Sequence, residues 1–284
     1  MEQLKQMQYN YDGTNDIHYL AKKNEHLRDK YIKFDEGPHI YTISLPGTEP
    51  TTKYKSVTTW VHSHFEHFDA DAIIERMMKS RNWERSKYYG MTPDEIKKQW
   101  DENRDEAAQA GTNMHFDIEC FYNNTPMQDN SRLESPEFQY FIQFQQDLES
   151  GKFGKLEPFR TEWTVFHEDA QLSGSIDMVY IKPNNHLAIY DWKRCKNIEK
   201  QNPFNKWSHN PLISSLPDTN YWHYCLQLNT YRHILQEKYD YIVDELYLVS
   251  LHPNKNTYVR MFVPILNYDI TNLFKQRTKE IEDT

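Results

Sequence analysis

The stretch AIYDWKRCK, residues 188–196, places an acid and a lysine where a core strand would be expected to stay apolar. Side chains two apart on a strand point to the same face. Leu187, Ile189, Asp191 and Lys193 therefore share a face that is apolar in its first half and charged in its second. The preceding segment GSID ends in Asp177, whose face also carries Ser175 and Val179. If the two segments pair as a hairpin, Asp177 and Asp191 converge at one end of a sheet. Two carboxylates held close repel each other unless a cation sits between them. Oxygen ligands of this kind suit Mg2+ or Mn2+, and Mg2+ typically uses one or two carboxylates plus waters and substrate phosphate. Lys193 beside such an ion would hold the attacking water and stabilise charge developing on a phosphate. Alone, an Asp-x-Lys sequence is more often an ion pair at a strand end; its company changes the balance.

That company is spread along the chain. His115 and Glu119 are four apart on a helical pattern and lie on one face, a spacing that suits a metal-ligand pair or an ordinary surface pair. Gln227 and Tyr231 repeat the spacing on a later helix beside Tyr224 and Leu228, which alone reads as a half-buried polar stripe. Directly after the Asp191–Lys193 strand, KRCKNIEKQNPFNKW supplies Lys193, Arg194, Lys196, Lys200 and Lys206 against one acid, Glu199, with Phe204 and Trp207 interleaved. Cations contact phosphates and aromatic rings stack on unpaired bases. A solvated loop is the competing reading, but long loops in compact domains are more often functional than idle.

In that order, GTNMH with its following Glu, GSID, DWK and QLNTY resemble the PD-(D/E)XK nuclease superfamily, in its RecB-like branch. The layout is similar to that of mitochondrial genome maintenance exonucleases and of nucleases from phages and large DNA viruses, over roughly residues 111–235. The resemblance implies His115, Asp177, Asp191 and the Trp192 carbonyl as metal ligands and Lys193 as the catalytic lysine. It implies that Glu119 acts through water, with Glu162 as a supporting acid. It also implies that Gln227 and Tyr231 position the DNA backbone and the lysine. Related branches carry an iron–sulfur cluster on four cysteines, and the three here, Cys120, Cys195 and Cys225, cannot form it.

These residues need elements to hold them. HIYTIS (39–44) reads as a strand, KYKSVTTWVHSHF runs on into a helix, and Asp69 caps the helix that follows. TPDE at 92–95 is a capping box with Pro at the first helical position; a further helix is expected at 111–122, and SPEF opens another at 135. LEPFRTEWTVF, SIDMVYI and HLAIYDWK are strands, the last two joined by the turn PNN. A Pro- and Asn-rich loop leads to the helix YWHYCLQLNTYRHILQEKY, two strands and a C-terminal helix near Asn267. The expectation is an α/β fold, a mixed central sheet flanked by helices in a PD-(D/E)XK restriction-endonuclease-like core at 106–284. A mostly helical N-terminal elaboration occupies 1–105, with residues 1–35 as an arm or peripheral helix.

The bulk numbers bound the function. At 284 residues with 38% hydrophobic and 14% aromatic content, the chain can bury a sizeable core. A net charge of −9 excludes a generally basic nucleic-acid coat but not a local basic groove. Three scattered cysteines exclude a disulfide framework. MEQLKQMQYN lacks the apolar core of a secretory signal, and no run of 18 apolar residues occurs. The expectation is a soluble intracellular, Mg2+- or Mn2+-dependent DNA exonuclease acting at single-stranded ends or flaps, with DNA as partner and no membrane contact. A structure-specific endonuclease with the same site is the alternative. A non-catalytic nucleic-acid-binding protein on a nuclease fold is disfavoured by the intact Asp177, Asp191 and Lys193.

Overall fold

The computed structural model describes residues 16–283, so the MEQLKQMQYN stretch lies outside the described residues. In chain order the helices are α1 (Tyr19–Lys23), α2 (Val57–His62), α3 (Ala70–Met78), α4 (Pro93–Tyr122), α5 (Pro136–Glu149), α6 (Asn220–Lys238) and α7 (Asn267–Glu282). The strands are β1 (Ile32–Asp35), β2 (Ile40–Ile43), β3 (Lys55–Ser56), β4 (Glu157–His167), β5 (Leu172–Ile181), β6 (Leu187–Lys193), β7 (Val243–Ser250) and β8 (Val259–Phe262). β1 and β2 form a hairpin of their own, and the other strands form one mixed sheet in which β4, β5, β6, β7 and β8 lie side by side. β6 and β7 are parallel, joined by the α6 crossover, while the remaining long pairs are antiparallel.

Helices cover both faces, which is why LAIYDW in β6 is buried at every position instead of alternating. Leu187 and Ile189 pack with α6, α2 and α7 through Leu228, Ile234, Val61 and Leu273. Ala188, Tyr190 and Trp192 pack on the opposite side with Ile118 of α4 and Phe141 and Phe144 of α5. Asp191 and Lys193 therefore continue the α6 face.

Capping signals placed several helix starts. Thr92 and Glu95 close the expected capping box, Asp69 accepts the Ala72 N–H, and Ser135 accepts that of Phe138. Two expectations change. The helix expected at 111–122 is not separate: α4 is one 30-residue helix running through Gly111, because a helical glycine costs only about 1 kcal/mol and both flanks pack. Its first half meets α3 while Asp101–Gln109 are exposed; the domain boundary expected near residue 105 lies inside this exposed stretch. Within the segment expected as an arm or peripheral helix, Ile32–Asp35 is a strand, formed by pairing with β2 rather than by its own short pattern. The N-terminal part also joins the central sheet and core, through β3 beside β5 and through Val57, Trp60 and Phe65.

One edge of β5 is divided. β6 pairs only with Met178–Ile181 and β3 only with Leu172–Ser173, leaving residues 174–177 free of strand pairing on that side. In this stretch the Tyr231 ring of α6 lies against Gly174. A Cβ built on Gly174 would lie 2.7 Å from the Tyr231 hydroxyl oxygen and 2.8 Å from Cε1, so only glycine admits the ring. Gly174→Ala is expected to destabilise the protein by about 1–3 kcal/mol, the usual range for overpacking, read as a lower urea midpoint. Adding Tyr231→Phe removes the nearest atom and should recover part of the loss.

Candidate metal centre

The site is built where the β5–β6 ladder ends. Its last pair is Met178 opposite Tyr190, so the next step in register sets Asp177 opposite Asp191. No backbone pair forms there; Asp177 Oδ2 accepts the Trp192 N–H at 2.9 Å instead, a side chain closing the ladder. On the other edge of β5, Thr161–Met178 and Trp163–Ile176 bracket Glu162, which thus faces Asp177 from β4. Glu162 has φ +42°, a left-handed conformation that costs a non-glycine residue on the order of 1 kcal/mol. Ser175 Oγ holds it by donating to Oε2 at 2.9 Å.

From α4, His115 Nδ1 comes 3.6 Å from both Glu162 Oε1 and Asp177 Oδ2. Its Nε2 lies 3.0 Å from the Trp192 carbonyl oxygen. Lys193 Nζ is 2.6 Å from Asp191 Oδ2 and 4.6 Å from the centre of the Tyr224 ring. Asp191 is only 2% exposed, and that lysine is its ion-pair partner.

Crowded acids in a buried site favour protons. Burial, and then the Asp191 charge, lift the Asp177 carboxyl to about 7 against the pull of His115 and Lys193. Glu119, one helical turn beyond His115, rises to about 8 through burial and the Glu162 and Glu36 charges. For His115, burial opposes the charge, but Asp177 and Glu162 win and hold the imidazolium up to about 9. Lys193 is likewise held above its ordinary range by Asp191 and Asp177 despite burial.

His115, Glu162 and Asp177 offer one nitrogen and two oxygens, all within 4.8 Å of one another. A ligating histidine usually donates its other ring N–H to a carbonyl or carboxylate, and the Trp192 carbonyl stands in that position behind His115. This donor set fits a divalent ion that accepts mixed N and O ligands, such as Mn2+ or, less readily, Mg2+.

The expected residues fall into groups. His115 and Asp177 meet as foreseen. Glu162, foreseen only as a supporting acid, is the third member of the cluster. Asp191 is paired with Lys193 beside that cluster, and the Trp192 carbonyl, foreseen as a ligand, holds the His115 ring. Glu119 lies next to Glu162 but outside the cluster. Gln227 lines a cleft of about 240 Å³ with Lys193, Tyr224, His62 and His223, while Tyr231 lies against Gly174. Arg194 is committed to Glu137 at 2.7 Å; Lys196 and Phe204 are exposed, and Trp207 is half-exposed in a bridge with Pro217. Sequence reasoning missed Tyr41 of β2, whose hydroxyl is pushed up by burial and by Glu162 and Asp177. It also missed His62. Neither has a local signature, because each reaches the site only through packing of the N-terminal segment.

The chain matches no known protein-family model and no curated protein sequence.

The proton preferences of this site set a pH dependence. Asp177 and Glu119, raised above ordinary carboxyl values, contribute stability that is lost as pH rises through about 7 and about 8. His115, raised above 6.5, contributes stability that is full below that value and lost through about 9. All three have the same sign, so the metal-free protein should melt at lower temperature at pH 9 than at pH 7. Glu119→Gln should flatten that slope. Mn2+ should raise the melting temperature more at pH 9, since the ion takes the place of protons; equal shifts at both pH values would count against the cluster as its site.

Proposed function

We propose that this chain is a metal-dependent deoxyribonuclease with a PD-(D/E)XK core, an exonuclease acting from single-stranded DNA ends or flaps. The observation that carries the reading is the facing of Asp177 and Asp191 across the end of the β5–β6 ladder, with Lys193 ion-paired to Asp191 at 2.6 Å. An acid pair and a lysine in this arrangement are unusual for a structural ion pair. A simple strand-end pair does not need a second buried carboxylate, a histidine and a strained Glu162 around it.

A bound divalent ion supplies Lewis acidity toward a phosphate oxygen and lowers the pKa of a water. His115, Glu162 and Asp177 would hold it. Asp191 keeps Lys193 charged and aimed, and the Tyr224 ring face supports the ammonium from the side. Lys193 Nζ is then the donor that meets negative charge growing on the scissile phosphate. Asp177 bonded to the Trp192 N–H ties the strand bearing one acid to the strand bearing the lysine, which limits how far the two can separate. Downstream of Lys193, the exposed Lys196 and Phe204 and the half-exposed Trp207 lie on the loop that leaves the site, where a strand's phosphates and unpaired bases would meet them.

A time course on end-labelled linear and unlabelled circular DNA, single- and double-stranded, with Mg2+ or Mn2+, tests the reading. Cleavage of linear single strands and flaps with circles left intact is expected; rapid cutting of circles would make the enzyme an endonuclease, and no cutting of any substrate would remove the nuclease reading. Lys193→Ala should lower single-turnover cleavage by about 10²–10³-fold, the scale of losing one preorganised donor, while Mn2+ still stabilises the protein. Replacing both Phe204 and Trp207 with alanine should weaken single-strand affinity in Ca2+ by about 1–3 kcal/mol per lost stack. Cleavage at saturating enzyme should change little.

A further inference from the structure

β4 carries Glu162 near its middle and ends at His167, five residues and about 16 Å further along at strand rise. There a second group of side chains meets. His167 Nε2 lies 3.2 Å and His233 Nε2 2.8 Å from the same Glu237 oxygen, Oε2. His233 and Glu237 are four apart on α6 and share a face. The two imidazoles lie nearly parallel, 11° between planes, with the Phe274 ring of α7 against both. All three candidate donor atoms lie within 4.8 Å of one another.

The surroundings suit a cation more than a structural network. His167 is 3% exposed, whereas the cluster opens on a cleft of about 560 Å³ between α6 and α7. The neighbouring acid Asp169 is already taken by Lys238 at 2.6 Å, which leaves Glu237 as the carboxylate for the pair. Tetrahedral ligands at about 2 Å from a metal stand about 3.3 Å apart, close to the 3.2 and 2.8 Å that separate the two imidazoles from Glu237 Oε2. One contact must yield. His167 Nδ1 accepts the Ala170 N–H at 3.2 Å, which puts the metal-free ring proton on Nε2. Metal binding at Nε2 requires the tautomer with its proton on Nδ1, which opens this long contact to the Ala170 N–H.

We propose that His167, His233 and Glu237 form a second metal site, separate from the cluster at His115, that binds Zn2+ with a fourth ligand from the solvent in the cleft. Two imidazoles and one carboxylate are a donor set for a borderline ion of the zinc class rather than for Mg2+, which prefers oxygen. Its role is to pin the end of β4 to α6. These are the two elements that carry Glu162 on one side and Gln227 and Tyr231 on the other, so the ion would stiffen their spacing without entering the chemistry. The inference does not rest on the nuclease reading, because it concerns other residues and is read by metal binding.

The test uses the untagged full chain carrying His115→Ala and Asp177→Asn, so that the first cluster no longer competes. Zn2+ is titrated by calorimetry, and Co2+ by its visible absorption, which reports tetrahedral coordination. A single equivalent of Zn2+ is expected, with a rise in melting temperature that EDTA reverses. His233→Gln and Glu237→Gln, each added separately at a partly exposed position, should weaken Zn2+ by about 10- to 100-fold or more, since loss of even a ligand's outer partner reaches that scale. The metal-free melting temperature of each shows that the fold is kept, and the two variants serve as checks on each other. Absence of Zn2+ binding in the background protein, or affinity unchanged in both variants, would overturn the proposal and leave a hydrogen-bonded His–Glu–His network.

Discussion

Three carboxylates crowd the point where β6 parts from β5, and the local architecture answers their repulsion. Asp177, Asp191 and Glu162 come from three adjacent strands and are shielded from water to different degrees, Asp191 most. Removing charges from water is expensive unless each is paired or hydrogen-bonded. Asp191 takes a lysine, Asp177 a backbone N–H, Glu162 a serine hydroxyl, and His115 stands charged between Asp177 and Glu162. In such an arrangement each buried charge has a partner, and on the proposed reading a cation would take the place of the protons. That is the physical link between the strain at Glu162 and the metal chemistry proposed for the site.

The scaffold serves this point from both sides of the sheet. α4 delivers His115 over the face packed by aromatic residues of α5, and α6 delivers Tyr224, Gln227 and Tyr231 over the other. Between them, residues 174–177 of β5 have no strand partner on the β6 side. Gly174 lets the Tyr231 ring of α6 lie directly on bare backbone there.

The N-terminal segment takes part in this assembly. Asp29 accepts from Arg160 at 2.7 Å and from the Trp163 indole at 3.0 Å, fastening the segment to β4 on both sides of Glu162. The β1–β2 hairpin that follows brings Tyr41, stacked on Phe34, toward the acids. Among the described residues no helix is long and apolar enough to cross a membrane, and the exposed Phe204 and half-exposed Trp207 sit on the loop after β6.

Much of this was legible in the sequence because it is local. A period of two set Asp191 and Lys193 on the apolar face of β6, PNN marked the turn that fixes the β5–β6 register, and Thr92, Asp69 and Ser135 announced their helices through one-turn hydrogen bonds. Spacing of four likewise put His115 near Glu119 and Gln227 near Tyr231. What tertiary structure alone decided is where separate periodicities intersect. Glu162 becomes the third member of the cluster only because the β4–β5 register sets it opposite Asp177. The Trp192 carbonyl comes within 3.0 Å of His115 Nε2 because α4 crosses the end of β6 at that height. His167 meets His233 and Glu237 for the same reason, across about 70 residues of chain. Such convergences depend on register and helix packing, which are non-local, and no local pattern in the residues themselves encodes them.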